Sequence, residues 1–194
     1  KRNCDIKIIF PYAYVPKIKL FGNYYKYSHV PFFEKVNGLP VYHPKYLMFP
    51  RALFAPKFLN VFLAIESLFS YASSKKFAHK LVKGWNPDII HMHSPLKEGL
   101  LGVDLKRAYN KPLFVTVHGE DITRFSKELF SSNLTKFTLR NSDAIICQSR
   151  FLVKEINSIG IKDKKFFVIP MGALLSRFKP RDNSLIRKKL NLPD

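Results

Sequence analysis

The chain has 194 residues, with 33 Lys and Arg against 14 Asp and Glu for a formal net charge of +19. Its hydrophobic share of 46% is ordinary for a globular protein, so the charge does not imply disorder, and the length suits one domain or the larger part of one. The positive field favours polyanionic partners, which leaves nucleic acid, anionic lipid surfaces and phosphorylated small molecules as candidate classes.

Five short apolar runs predict strands. They are nearly continuous in apolar character rather than alternating, which is typical of strands buried on both faces of a parallel sheet. The runs are Ile6–Phe10, Asp88–His93, Leu113–His118, Asp143–Cys147 and Phe166–Ile169.

Helical periodicity separates most of these strands. Ser149 is the predicted N-cap of one helix, and Gly160 its left-handed end. The alternation of strands and helices predicts an α/β fold with one doubly wound parallel sheet. The predicted helices are Phe58–Lys83, Leu96–Tyr109, Lys127–Arg140, Arg150–Ile159 and a short basic helix, Asn183–Leu190.

The segment Tyr12–Pro56 interrupts this alternation. It is rich in proline and aromatic residues, and only Lys35–Tyr42 resembles a strand. Because its aromatic content is high for a chain that stays solvated, we expect an ordered excursion over the surface.

The residues that follow the strands are the candidates for function, because ligands of parallel α/β sheets bind beyond the carboxyl ends of the strands. After the third predicted strand, His118 and Gly119 precede two carboxylates, which offers a base or hydrogen-bond donor, exposed amides and acceptors for sugar hydroxyls. A simple turn in which Asp121 caps the next helix is the structural alternative. The candidates are His93, His118, Gly119, Glu120, Asp121, Ser149, Arg150 and Gly172.

Three histidines raise the question of a metal site. His91 and His93 share one face of a strand, and His118 is expected on a neighbouring strand, so the three could ligate zinc. No His-Glu-x-x-His or comparable motif accompanies them, and a structural role is favoured, so we predict no metal. The sequence also lacks a Gly-x-Gly-x-x-Gly fingerprint, a P-loop and a Gly-x-Ser-x-Gly elbow, which disfavours dehydrogenases, P-loop nucleotidases and serine hydrolases.

Several of the strand ends carry a family resemblance. On these residues the chain resembles the N-terminal domain of the family 4 glycosyltransferases, which are retaining enzymes of GT-B architecture. The matching segments are Pro87–His93, Val115–Ile122, Ser142–Ser149, Val168–Gly172 and Arg177–Pro180, with Asn37–Pro44 in some members.

The resemblance implies a Rossmann-like half of a GT-B fold that chiefly binds the acceptor, while a C-terminal domain binds the nucleotide sugar and no cofactor or metal is needed. It assigns His118 to the cleft as the candidate catalytic residue. Whether His118 abstracts a proton or only positions and polarises the substrate stays open, because the leaving phosphate can take the acceptor proton in this type of transfer. Where the family often has Asn-Gly-Val-Asp, this chain has Met171-Gly172-Ala173-Leu174.

The resemblance also implies domain boundaries. Members of the family begin with a strand, a glycine-rich loop and a helix before the position of Ile6. We therefore expect residues 1–180 to be a partial N-terminal domain, residues 181–194 to begin the linker to the second domain, and the chain by itself to be inactive.

The leading functional hypothesis is transfer of a sugar from a nucleotide donor to a polysaccharide or lipid-linked acceptor in cell-envelope synthesis. A nucleic-acid-binding module, which only the charge supports, and a GT-B-like sugar-nucleotide epimerase are the alternatives; no nucleic acid is expected as a partner. Two distant cysteines, Cys4 and Cys147, and the absence of an apolar run long enough to span a bilayer favour the cytoplasm. Basic and aromatic side chains of Tyr12–Pro56 suggest peripheral contact with the inner face of an anionic cell membrane.

Overall fold

The computed structural model describes residues 4–18, 25–48, 59–124, 129–176, 178 and 182–192. The strands are β1 (Ile8–Ile9), β2 (Tyr12–Ala13), β3 (Phe33–Val36), β4 (Leu39–Tyr42), β5 (Lys45–Tyr46), β6 (Ile90–Met92), β7 (Leu113–Val117), β8 (Ala144–Cys147) and β9 (Lys165–Val168). The helices are α1 (Leu59–Trp85), α2 (Gly99–Tyr109), α3 (Glu120–Thr123), α4 (Leu129–Asn141), α5 (Arg150–Ser158) and α6 (Ser184–Lys189).

Strands β6 to β9 form one parallel sheet in which the spatial order follows the chain. Helix α2 connects β6 to β7, helices α3 and α4 connect β7 to β8, and α5 connects β8 to β9. This arrangement confirms the predicted α/β fold with a Rossmann-like parallel sheet.

The core lies where this sheet meets the helices. Leu113, Val115 and Val117 of β7 are fully buried, as is Ile145 of β8. Apolar side chains of α1, α2, α4 and α5 complete the cluster, among them Ala78, Val103, Leu139 and Ile156. Burial of the inner strands explains why their sequences are continuously apolar.

Strand β9 departs from the prediction of strands buried on both faces. Phe167 and Val168 are 37% and 42% exposed. The reason is its position, because β9 ends the row of four strands and pairs on one side with β8.

The first predicted strand, Ile6–Phe10, also differs from expectation, because it does not join the four-stranded sheet. Only Ile8–Ile9 is a strand, and it pairs in parallel with β4 in a separate three-stranded sheet. Buried His43 ties this sheet together, since its Nδ1 lies 2.9 Å from the Phe10 carbonyl oxygen and its Nε2 lies 2.9 Å from the Glu34 carboxylate.

The strand-like segment Lys35–Tyr42 is two strands rather than one. β3 and β4 form an antiparallel hairpin, and Asn37 and Gly38 at its tip have φ values of 51° and 82°. Asn-Gly is the residue pair that such a two-residue turn prefers, so the sequence contained the signal for this turn. The segments that form β1 and β4 pair again beyond Pro11 and Pro44, where β2 and β5 form a short parallel ladder.

The remaining predicted elements form with small changes at their ends. Ser149 is the N-cap of α5 and accepts a hydrogen bond from the Leu152 amide at 3.4 Å, and Gly160 follows the helix with a φ of 84°. The turn 95–98 replaces the predicted first turn of α2. Phe58, Lys127 and the expected domain boundary at 180/181 lie outside the described residues.

Candidate functional site

The carboxyl ends of β6, β7 and β8 bring two predicted site residues, His93 and His118, together with Gln148, which was not among the candidates. His93 follows β6, His118 follows β7 and Gln148 follows β8. Parallel pairing in register aligns these three strand ends at one edge of the sheet. The predicted adjacency of the histidines across neighbouring strands is therefore confirmed.

The three histidines form a row of imidazole rings. The rings of His91 and His93 have centroids 4.6 Å apart, and those of His93 and His118 are stacked at 5.5 Å. His93 Nδ1 lies 3.3 Å from His118 Nε2, and the Gln148 side-chain nitrogen lies 2.7 Å from His118 Nδ1. His91 Nε2 is hydrogen-bonded to Thr116 Oγ1 at 2.8 Å.

This geometry forms a continuous hydrogen-bonded row from Gln148 through His118 to His93. When the Gln148 amide donates to His118 Nδ1, His118 Nε2–H donates to His93 Nδ1, and His93 Nε2 carries a proton that it can donate. If the amide and both rings reverse their roles, the same nitrogen becomes an acceptor. The row can therefore offer either a proton donor or a base to a hydroxyl that approaches His93 Nε2.

The environment keeps part of the row neutral. Partial burial, with the neighbouring imidazole of His118, lowers the pKa of His93 below its ordinary value. Burial also lowers the pKa of His91, and the imidazoles of His93 and His118 add to the effect. Neutral imidazoles can orient a hydroxyl by hydrogen bonding and can accept a proton.

Asp121 holds the two histidine-bearing loops in place. It is 8% exposed, and its Oδ1 accepts a hydrogen bond from Ser94 Oγ at 2.9 Å while its Oδ2 accepts one from the His118 amide at 3.2 Å. Because both oxygens are engaged, Asp121 acts here as a brace between the loops that follow β6 and β7. The sequence predicted its place in the cluster but not these partners.

Gly119 turns the chain from β7 into α3. Its φ of 109° and ψ of −67° lie in a region that residues with a Cβ rarely adopt. Its carbonyl accepts hydrogen bonds from the amides of Ile122 and Thr123, each at 2.9 Å. The glycine thus allows the sharp bend that leaves His118 exposed at the strand end.

Of the other predicted site residues, Glu120 and Ser149 have partners within the fold, whereas Arg150 and Gly172 are described by their position alone. Exposed Glu120 pairs with Arg124 at 2.8 Å, and the Ser149 hydroxyl is used as the α5 cap. Arg150 is exposed at the first position of α5, beside Ser149. Gly172 lies in the exposed segment after β9, and a Cβ built on it would have no heavy atom within 4 Å, so the structure does not join it to the histidine row.

A groove of about 210 Å³ is not lined by the histidines but reaches this cluster through Glu98, which is close enough to Asp121 to feel its charge, and sequence reasoning missed it. Burial, with the nearby Asp121 carboxylate, raises the pKa of Glu98 to about 7 despite the opposing charge of Lys97. No sequence motif marks Glu98; only its place in the turn after β6 could have drawn attention to it. The groove is lined by Phe10, Pro11, Tyr12, Ala13, Tyr27, Tyr46, Met48, Leu63, Glu66, Ser67, Ser70, Lys97 and Glu98.

The lining suits a polyhydroxylated ligand. Aromatic rings can pack against the apolar faces of a sugar, and the carboxyl groups of Glu66 and Glu98 are of the type that hydrogen-bonds sugar hydroxyls.

Within the described part of the chain, no group of three or more His, Cys, Asp or Glu side chains is arranged to hold a metal ion. Two of the nitrogens considered as zinc ligands, on His93 and His118, instead face each other. Among the described helices, none has the length and hydropathy to cross a bilayer.

Comparison with known proteins gives the family of the chain. The model of glycosyltransferase family 4 matches residues 25–177. TuaC of Bacillus subtilis strain 168, whose name assigns it to teichuronic acid biosynthesis as a glycosyltransferase, is 27% identical over 200 residues, which cover 100% of this chain and 48% of TuaC. The alpha-monoglucosyldiacylglycerol synthase of Streptococcus pneumoniae is 28% identical over 139 residues, which cover 65% of this chain and 31% of the synthase.

The chain spans about half the length of TuaC, or less than half for the synthase. The family model, however, covers most of the chain, including the histidine row, Asp121 and the cap of α5. The chain therefore belongs to glycosyltransferase family 4.

Proposed function

We propose that the protein takes part in transferring a sugar from a nucleotide-sugar donor to a glycan or lipid-linked acceptor of the cell envelope, and that the described domain binds the acceptor. The observation that carries this proposal is the hydrogen-bonded row of Gln148, His118 and His93 beside the aromatic and carboxyl-lined groove. The names of the two relatives, one in teichuronic acid biosynthesis and one a glycolipid synthase, support an envelope acceptor.

In this proposal the groove holds the acceptor sugar, and the row of imidazoles orients the hydroxyl that attacks. Exposed His118 and His93 lie at the strand ends where a second substrate can approach. Holding the nucleophile in position and polarising it accounts for a large share of the rate in such a transfer. We propose retention of the anomeric configuration, with no metal, the leaving phosphate of the donor taking the acceptor proton.

The test is a His118→Ala variant of the polypeptide that carries this chain. Transfer is measured from radiolabelled UDP-glucose, UDP-galactose and UDP-N-acetylglucosamine to an extract of envelope lipids and glycans. We expect turnover to fall by roughly 100-fold or more, because a positioned hydrogen-bonding group is lost from the reaction centre. NMR of the product then gives the anomeric configuration.

His29→Ala is the matched control, because His29 is an exposed histidine of the 3₁₀ helix 25–29 and does not line the groove. Its turnover should equal that of the wild type. Unchanged turnover in His118→Ala would remove His118 from the reaction centre. Failure of every donor with wild-type protein would count against the transfer activity itself.

A further inference from the structure

Lys45 has an environment that the proposed transfer reaction does not explain. It lies on β5 opposite Tyr12 of β2, and its ammonium nitrogen is enclosed and has no hydrogen-bond partner among the described residues. The nitrogen lies over the Tyr12 ring, 5.3 Å from its centroid, in a cation–π contact. Burial lowers the pKa of Lys45. An enclosed cation without hydrogen bonds destabilises a folded chain, so a lysine here calls for a compensating group.

The surroundings of Lys45 are suited to an anion. A groove of about 490 Å³ is lined by Tyr14, Val15, Pro16, Lys17, Ile18, Tyr27, Ser28 and Lys45. These lining residues include two lysines and no carboxylate. Exposed Lys26 lies nearby, with its nitrogen 5.1 Å from the Tyr27 ring centre. An anion in this groove would therefore meet positive charges without a competing acidic side chain.

The two grooves are neighbours. Tyr27 lines both of them, and Tyr12, which lines the groove beside the histidine row, is the β-sheet partner of Lys45. A ligand that extends from the first groove past Tyr27 would reach the lysines of the second. The groove that contains Lys45 is therefore adjacent to the groove lined by Glu66 and Glu98, whose lining suits sugars.

We propose that this second groove binds an oxyanion, a phosphate or a carboxylate, through Lys45 with Lys17 at its rim. A charge-assisted hydrogen bond to an oxyanion would satisfy the ammonium group, which has no hydrogen-bond partner in the described part of the chain. The flexible stem of a lysine lets its ammonium group turn from the Tyr12 ring toward such a ligand. The site requires no transfer activity; if the proposed function also holds, the oxyanion belongs to the acceptor.

The experiment compares wild-type chain with Lys45→Met in titrations with sodium phosphate, sodium glucuronate and glucose at matched ionic strength. Binding is measured from the NMR signal of the Lys45 side chain in the wild type and from the thermal midpoint in both proteins. We expect saturable binding of at least one anion, no binding of glucose at this site, and at least a tenfold weaker anion affinity in Lys45→Met. The midpoint of the unliganded variant should equal or exceed that of the wild type, because an uncompensated cation is removed.

Lys35→Met is the matched control, since Lys35 is an exposed lysine of β3 and lines neither groove. It should bind the anions as the wild type does, and general salt effects on stability should be the same in all three proteins. Phosphate binding alone identifies a phosphate site, and glucuronate binding alone a carboxylate site. If the Lys45 signal responds to neither anion, or if Lys45→Met binds them as tightly as the wild type, the proposal is wrong.

Discussion

At the residue scale, the polar groups at the strand ends differ in whether their hydrogen-bonding capacity is already used. The Asp121 carboxylate accepts hydrogen bonds from Ser94 and from the His118 amide, and the Ser149 hydroxyl accepts one from the Leu152 amide in the first turn of α5. His93 and His118 are exposed, and Glu98 lines the adjacent groove. Asp121 and Ser149 fix the geometry of the strand ends. Both ring nitrogens of His118 face partners, Gln148 and His93, which leaves Nε2 of His93 and the Glu98 carboxyl as the groups that can meet a ligand.

Glu98 predicts a pH-dependent stability. Its pKa is raised from 4.5 to about 7, chiefly by burial, so between these pH values the folded chain holds a proton that the unfolded chain has lost. The contribution of Glu98 to the free energy of unfolding therefore decreases as pH rises through this window. Glu98→Gln should remove that dependence. The free energy of unfolding of the variant, relative to that of the wild type, should therefore be roughly 2 kcal/mol higher at pH 8 than at pH 5.

Urea unfolding at several pH values measures this difference. Glu155→Gln is the matched control, because Glu155 lies in α5 and does not line the groove. Its pH profile should follow that of the wild type. Parallel profiles for Glu98→Gln and the wild type would contradict the burial of an ionisable group at position 98.

The two cysteines should differ in reactivity. Cys147 is buried in β8, and burial raises its pKa to about 11, whereas Cys4 is exposed. Since the thiolate is the reactive form, one thiol should react quickly with an aromatic disulfide reagent in the native chain and the second only in denaturant. Counting released thiolate by absorbance checks this, with Cys4→Ser as the variant that should lose the fast reaction. Two fast thiols would contradict the closed packing of β8.

At the scale of elements, the glycines of α2 have a packing role rather than a ligand-binding one. A Cβ added to Gly102 would lie 2.6 Å from Met92 Cγ and 3.0 Å from Leu113 Cδ1, and a Cβ on Gly99 would overlap the Thr138 side chain. The helix therefore approaches both the sheet and α4 closely. This explains why Gly99-Leu100-Leu101-Gly102 occurs without forming a phosphate loop.

Gly102→Ala should consequently destabilise the chain by about 1–3 kcal/mol, because the gain in helix propensity does not offset the overlap with the sheet. Gly84→Ala in α1 is the control, since a Cβ there would have no heavy atom within 4 Å. It should stabilise the chain by up to about 1 kcal/mol. Denaturant unfolding of both variants measures the contrast, and equal effects would argue against close packing at Gly102.

At the scale of the whole molecule, the charge of +19 coexists with exposed aromatic side chains in the proline-rich segment. Tyr14, Phe32 and Phe33 are 56%, 50% and 45% exposed. Exposed Lys26 and Lys35 belong to the same segment. We predict from this composition that the domain attaches to an anionic bilayer.

Co-sedimentation with phosphatidylcholine vesicles, with and without phosphatidylglycerol, tests the attachment. Binding should require the anionic lipid and weaken as salt is raised, because the attraction is screened. The double variant Lys26→Glu with Lys35→Glu should bind at least tenfold more weakly, since each lysine near the surface contributes about 1 kcal/mol. Lys154→Glu with Lys162→Glu, exposed positions in and after α5, is the control. Binding that ignores lipid charge would contradict the prediction.

The sequence by itself determined the α/β class, the inner strands β7 and β8, the cap of α5 and the cluster around His118. These features depend on local patterns: continuous apolar runs, a serine before a helix and polar residues directly after buried strands. The tertiary structure alone decided that β1 joins a separate sheet, that Asp121 braces Ser94 and His118, and that Glu98 and Lys45 line grooves. Each of these depends on contacts between segments distant in the chain, and hydrogen-bond partners and burial are properties of such contacts rather than of residue type.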